Sequence, residues 1–187
     1  MNLTIIKEGN PLLKRKAVEV KLPLSDEDKM TITFMMQHLI KSQIPEIAEA
    51  EGIQPGVGIA APQIGVSKRM FCIYTTDLND KLHKYAFINP VVQEKSEEMI
   101  YLPDGEGCLS VDREVPGIVL RHKEIKVNTL VYDIEKKITK KMTLKLTNLL
   151  SIIFQHEFDH LEGILYVDRV QDTDNIPKNA KSLFFEE

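Results

Sequence analysis

Apolar side chains recur along this chain with two different periods, and the change from one to the other outlines the fold. Ile32, Met35, Met36, Leu39 and Ile40 return at helical spacing. Ser25 and the acids Asp26, Glu27 and Asp28 precede them, supplying a cap and a negatively charged first turn. The pattern predicts a helix that packs on the core and weakens near Pro45, with 43–55 as a loop or frayed extension. Upstream, Asn10-Pro11 reads as an N-cap followed by proline at the first helical position, predicting a short helix over 12–17. From Gly56 the pattern changes to strands and turns. Residues 70–74, 85–92 and 97–102 are β-like. Ile125, Val127, Thr129 and Val131 alternate as in a half-buried strand, 133–137 is a turn, and 138–146 returns as the partner. A second long helix is expected over 147–162, stopped by Gly163. The succession predicts an α+β fold, with mostly antiparallel β-sheets around that central helix.

Composition narrows the class without changing this outline. At 187 residues, the chain suits one domain over 1–187 and can bury a core without staples. Lys plus Arg number 24 against 28 Asp plus Glu, a net charge of -4, so direct nucleic-acid binding is not expected. Two cysteines, Cys72 and Cys108, cannot form a disulfide framework. The opening residues lack the basic flank and apolar run of a signal peptide, and no stretch approaches the length of a membrane span. These features lead us to expect a cytoplasmic protein.

The chemistry concentrates in the second long helix, in Gln155-His156-Glu157-Phe158-Asp159-His160. Four residues on a helix turn through a full circle plus about 40°, so both imidazoles can reach one metal ion. Glu157 lies one step round, better placed to act on an attacking water than to crowd the ion. Leu149, Ile152 and Ile153 share the face of His156 and should form an apolar wall beside it. Such a wall could also hold a substrate's apolar side chain. Asp159 is expected to steady His160 or nearby backbone.

A third ligand must come from elsewhere. Metallopeptidases with this helix take it downstream, yet Tyr166 occupies the position of their third histidine, and no convincing downstream helix supplies a glutamate. Cys108, in Glu106-Gly107-Cys108-Leu109-Ser110, sits in a polar, turn-like stretch beside glycine, and a thiolate suits zinc or ferrous iron. Cys72, within Met70-Phe71-Cys72-Ile73-Tyr74, reads as a small buried apolar residue. A third segment runs Gly56-Val57-Gly58-Ile59-Ala60-Ala61-Pro62-Gln63. Its small residues would admit a substrate backbone, and the Gln63 amide could donate to a developing oxyanion.

Together these segments match Gly-x-Gly-x-Ala-Ala-x-Gln, Glu-Gly-Cys-x-Ser and Gln-His-Glu-x-Asp-His-x-x-Gly in order. The chain thereby resembles the peptide deformylase family over nearly its whole length, in its longer bacterial subclass. The resemblance implies an amidohydrolase that removes the formyl group from the initiator methionine of nascent polypeptides and releases formate. It implies metal ligation by Cys108, His156 and His160, with Glu157 as general acid/base. Gln63 and the Leu109 N–H would stabilise the tetrahedral intermediate. Val57 and Gly58 would meet the substrate backbone, Leu149, Ile152 and Ile153 its methionine, and Glu106 would brace the site through Arg121. Ferrous iron is the implied native ion, with zinc, nickel or cobalt as substitutes; the residues alone do not choose. A monomer working close to the ribosome is implied, although the tail ending Glu186-Glu187 lacks the basic helix by which some members dock. Two rival readings are a peptide-bond metallopeptidase, which lacks its third ligand here, and a structural zinc or peptide-binding module, which calls for a closed four-ligand site.

Overall fold

The computed structural model describes residues 3–184. Five antiparallel strands form the main sheet, in the order β1-β2-β3-β6-β7. They are β1 (Gly58–Ala60), β2 (Met70–Thr76), β3 (Leu82–Lys95), β6 (Glu124–Asp133) and β7 (Ile138–Thr147). A smaller sheet, β5-β4-β8, joins β4 (Met99–Tyr101) antiparallel to β5 (Arg121–His122) and parallel to β8 (Ala180–Ser182).

The main sheet lies between two helices. Helix α1 (Asp26–Ser42) starts where the Ser25 hydroxyl accepts the Asp28 N–H at 3.1 Å. It lays Ile32, Met35, Met36 and Leu39 on one face of the sheet, against Ile59, Met70, Cys72 and Ile88. Helix α3 (Asn148–Leu161) covers the other face with Leu150, Ile153, Phe154 and Leu161, packed against Phe71, Ile73, Phe87 and Val127. Strand β2 thus sends alternate residues to α1 and to α3, as the period of two requires, and both sets are buried. Edge-to-face contacts of Phe154 with Phe71 and Phe87, each at 5.1 Å, anchor α3 to the sheet. Gly163, at φ 75°, ends the α3 region. A Cβ there would lie 2.7 Å from the Lys14 carbonyl, so only glycine lets the chain turn so close to the N-terminal segment.

The α+β class and the central position of α3 agree with the pattern of the sequence. Three local expectations need correction, and one strand was not foreseen. The short helix expected over 12–17 is a single 3-10 turn, Pro11–Lys14; the Asn10 side chain caps Leu12 N–H, and Arg15 is already extended. The stretch expected as a loop or frayed extension, 43–55, contains a separate helix α2 (Pro45–Glu51), with proline at its first turn and Gly52 in the left-handed conformation at its end. The strand expected over 97–102 shortens to β4. β8 carries too little pattern to predict; it pairs in parallel with β4, and Leu183 just beyond it packs with Ile100 and Ile152. The acidic end of the tail lies outside the described residues.

Candidate metal centre

Helix α3 carries His156 and His160 on adjacent turns, with ring centroids 5.2 Å apart at 73°. Cys108 comes from the loop after β4, and its Sγ lies 3.4 Å from His160 Nε2. The three donor atoms all fall within 4.8 Å of one another. A tetrahedral ion with bonds of about 2.3 Å to sulfur and about 2.0 Å to nitrogen holds those two atoms about 3.5 Å apart. The Cys108–His160 spacing therefore matches one such ion, and the softness of the donor set suits zinc or ferrous iron.

The two histidines are tuned in opposite directions, and His156 must release a proton if it is to ligate an ion. Burial holds His160 well below the ordinary histidine value, reinforced by His156 and Arg121, so its ring is neutral and keeps a lone pair. Burial would also lower His156, but Cys108 and Glu106 outweigh it and raise its pKa well above the ordinary value. His156 Nδ1 meets Glu106 Oε2 at 2.7 Å, which directs Nε2 toward the cluster. Glu106 is fully engaged behind the ring. Its carboxylate accepts from Arg121 Nε at 2.8 Å and Nη2 at 2.9 Å. Burial would raise its pKa, yet Arg121 and His156 bring it down to about 2. Arg121 reaches onward to Asp159 at 2.5 Å.

Asp159 departs from expectation. Its carboxylate accepts from Arg121 and, at 2.6 and 2.8 Å, from Arg169, rather than holding His160. His160 Nδ1 has no hydrogen-bond partner among the described residues. Arg121 lies on β5 and Arg169 follows Asp159 by ten residues, beyond the end of α3, so helical spacing around Asp159 could not reveal them. Tyr166, at the position of the missing third histidine, stacks on His156 at 5.8 Å. His83 and His122 lie elsewhere, bonded to Asp77 and to the Ser96 carbonyl, and His38 lies on α1.

Glu157 is buried beside the cluster with one carboxylate oxygen unpartnered. Burial pushes its pKa up to about 7, with Glu106 adding to the rise and His156 and Arg121 opposing it. A carboxyl poised there can both accept and return a proton near neutrality. The strand above it must be glycine at position 58, because a Cβ would stand 2.7 Å from Glu157 Cδ and 2.8 Å from Cγ. Gln63 is buried opposite. Its Oε1 accepts the Ala60 N–H at 2.8 Å, which turns its NH₂ toward Cys108 Sγ at 3.5 Å and Ser110 Oγ at 3.2 Å. Ser110 is a partner the sequence reading missed, although it stands two residues from Cys108 within the same motif. Gly107, by contrast, has open space where a Cβ would go, so protein packing does not demand glycine there.

Gln63, Cys108, His156 and Glu157 line a cleft of about 350 Å³. Leu149, Ile152 and Ile153 form one wall, with Leu102 and Leu109 also lining it. Val57, Gly58, Glu106 and Cys108 border the same space, so the cleft brings together all three segments singled out in the sequence. β1 is an edge strand of its sheet. Because the Val57 carbonyl accepts from Tyr74 of β2 at 2.9 Å, the peptide groups of Gly58 face the cleft instead.

The family model described as polypeptide deformylase matches residues 2–175. Peptide deformylase of Halalkalibacterium halodurans is 50% identical over 167 residues, covering 89% of each chain. Peptide deformylase 2 of Geobacillus stearothermophilus is 48% identical over 178 residues, covering 94% of each. The crystal structure of peptide deformylase from Thermotoga maritima superposes with a TM-score of 0.68 at 31% identity, covering 91% of this chain and 99% of that one. A class I type b peptide deformylase from Acinetobacter baumannii, with Met-Ala-Ser bound, gives 0.70 at 29% identity, covering 91% and 99%.

Proposed function

This chain belongs to the peptide deformylase family, and from that premise we propose how its own residues carry out the reaction. The family is metal-dependent, and its hydrolases remove the N-formyl group from nascent polypeptides; this chain is an enzyme of that kind. We assign Cys108, His156 and His160 as ligands of a ferrous ion, which zinc, nickel or cobalt could replace. When bound, the ion acts as a Lewis acid toward water and the formyl carbonyl.

The formylated methionine would lie in the cleft with its side chain against Leu149, Ile152 and Ile153. Its backbone would run along Val57 and the free edge of Gly58. Glu157 takes a proton from the water that attacks the formyl carbon. As the carbonyl oxygen turns negative, Gln63 Nε2 and the Leu109 N–H donate to it. Glu157 then delivers the proton to the amine nitrogen as the C–N bond breaks. Formate and a free amino terminus result. Glu106 touches no reacting atom in this scheme; it holds His156 in place and is itself held by Arg121.

The observation that carries this reading is the convergence of Cys108, His156 and His160 next to a buried Glu157 that lines an apolar cleft. We further propose that residues 1–187 form one catalytic domain, acting as a cytoplasmic monomer near the ribosome without binding nucleic acid directly. No helix among the described residues is long and apolar enough to cross a membrane. The test is formate release from formyl-Met-Ala-Ser by anaerobically prepared, iron-loaded protein. We expect turnover in proportion to bound ion. Absence of formate from fully loaded protein would overturn the reading.

A further inference from the structure

The cleft does not end at the methionine wall. At its mouth, Gln43, Gln54 and Pro55 also line a second, shallow groove of about 750 Å³. Pro45 and Ala48 of α2, with Ile53 and Pro55 after it, form the apolar lining of that groove. Its frame is braced: Gln43 Nε2 donates to the Gly56 carbonyl at 2.9 Å and to the Tyr74 carbonyl at 2.7 Å, tying the end of α1 to the segment before β1 and to β2. At its rim, Glu49 has no ion-pair partner among the described residues, whereas Glu51 is paired with Lys41 at 2.7 Å.

The direction of the substrate follows from the placement of the reacting groups. Glu157, Cys108 and Gln63 surround the Gly58 end of the cleft, so the formyl group lies there. A peptide paired with the free edge of Gly58 then leaves past Val57, Gly56 and Pro55, antiparallel to the enzyme strand. Extended chain advances about 3.3 Å per residue, so about the fourth and fifth substrate residues come level with Pro55 and Gln54.

We propose that the α2 groove binds the nascent chain about four to five residues beyond the formyl group, favouring apolar side chains there with a basic neighbour facing Glu49. The inference rests on the reading of the cleft given above. Its occupant is the substrate itself, because the groove is continuous with the substrate cleft through three shared residues. Contacts so far from the bond that breaks would act equally on ground and transition states, and so would lower KM and leave kcat unchanged.

The test compares formyl-Met-Ala-Ser with three hexapeptides that extend it by Gly-Gly-Ser, Leu-Leu-Lys or Leu-Leu-Glu. In the wild type, Leu-Leu-Lys should exceed Gly-Gly-Ser in kcat/KM by about fivefold, the return expected from half-burying one leucine, and the gain should reside in KM. Glu49→Lys should shift the preference from the Lys-ended to the Glu-ended peptide. Ala48→Phe, which fills the groove, should erase the leucine advantage. Values within twofold across the three hexapeptides overturn the proposal, as does an unaltered preference in Glu49→Lys. Failure of every peptide, formyl-Met-Ala-Ser included, would instead overturn the reading of the catalytic cleft.

Discussion

Replacing Glu106 by glutamine tests the support behind the metal ligands with almost no change of shape. The wild-type carboxylate accepts three hydrogen bonds, from Arg121 Nε, Arg121 Nη2 and His156 Nδ1, at 2.8, 2.9 and 2.7 Å. An amide has one oxygen. If that oxygen keeps His156 and Nη2, the NH₂ group confronts Arg121 Nε; if it turns over, the NH₂ confronts both of the others. Either way a donor faces a donor, and Arg121 is left buried with half its compensation. Hydrogen bonds to charged groups contribute about 1.5–3 kcal/mol against about 0.5–1.5 for neutral ones, so each retained bond weakens by about 1 kcal/mol. Loss of such support typically lowers metal affinity about 10–100-fold, or about 1.4–2.7 kcal/mol. Zinc is a suitable probe because it has no redox chemistry. Competition of wild type and Glu106→Gln against a chromophoric chelator should show that drop, with urea unfolding of both apoproteins verifying that the variant is folded. Zinc affinities within twofold of each other, in folded proteins, would refute the argument.

Gly58→Ala should retain the metal but lose about 100-fold in formate release, because the new Cβ would crowd Glu157 and displacements near 1 Å cost about that much; normal turnover would show that Glu157 has room to move. Phe154→Ala removes a fully buried ring between Phe71 and Phe87 and should cost about 3–5 kcal/mol in urea unfolding. Asp28 offers a test by pH. Burial would raise its pKa, but the hydrogen bonds from Lys68, at 2.5 Å, and Ser25 outweigh burial and lower it. Since the folded value lies below the unfolded one, the stabilisation is complete above about pH 4 and disappears as pH falls through the folded pKa. Asp28→Asn should therefore be less stable than wild type by about 1–2 kcal/mol at pH 7, with the gap closing in acid; a gap unchanged down to pH 3 would contradict this assignment.

Elements with strong periodicity were legible in the sequence, and the rest depended on contacts between distant segments. Helices α1 and α3 and the β6–β7 hairpin each repeat their pattern over ten residues or more, so packing reinforced what local preference suggested. Helix α2 has only seven residues, and β8 only three. Pro45 looked like a helix stop, but it is the first residue of a new helix. β8 pairs in parallel with β4, about eighty positions earlier, which no local pattern encodes. The site divides along the same line. His156, Glu157 and His160 follow from helix geometry, and Cys108 from the chemistry of its side chain. Asp159 was misjudged because its real partners, Arg121 and Arg169, are brought to it only by the fold. Glu49 and Pro55 acquire meaning only once α2 is seen to line the groove that adjoins the cleft.

The central claim is that Cys108, His156 and His160 hold the ion while Glu157 moves the proton. Glu157→Ala separates these roles when metal content and formate release are measured on one preparation. The account predicts one bound ion per chain, as in wild type, with turnover reduced by about 10²–10⁴-fold. A variant that keeps its ion and still releases formate at the wild-type rate would contradict it.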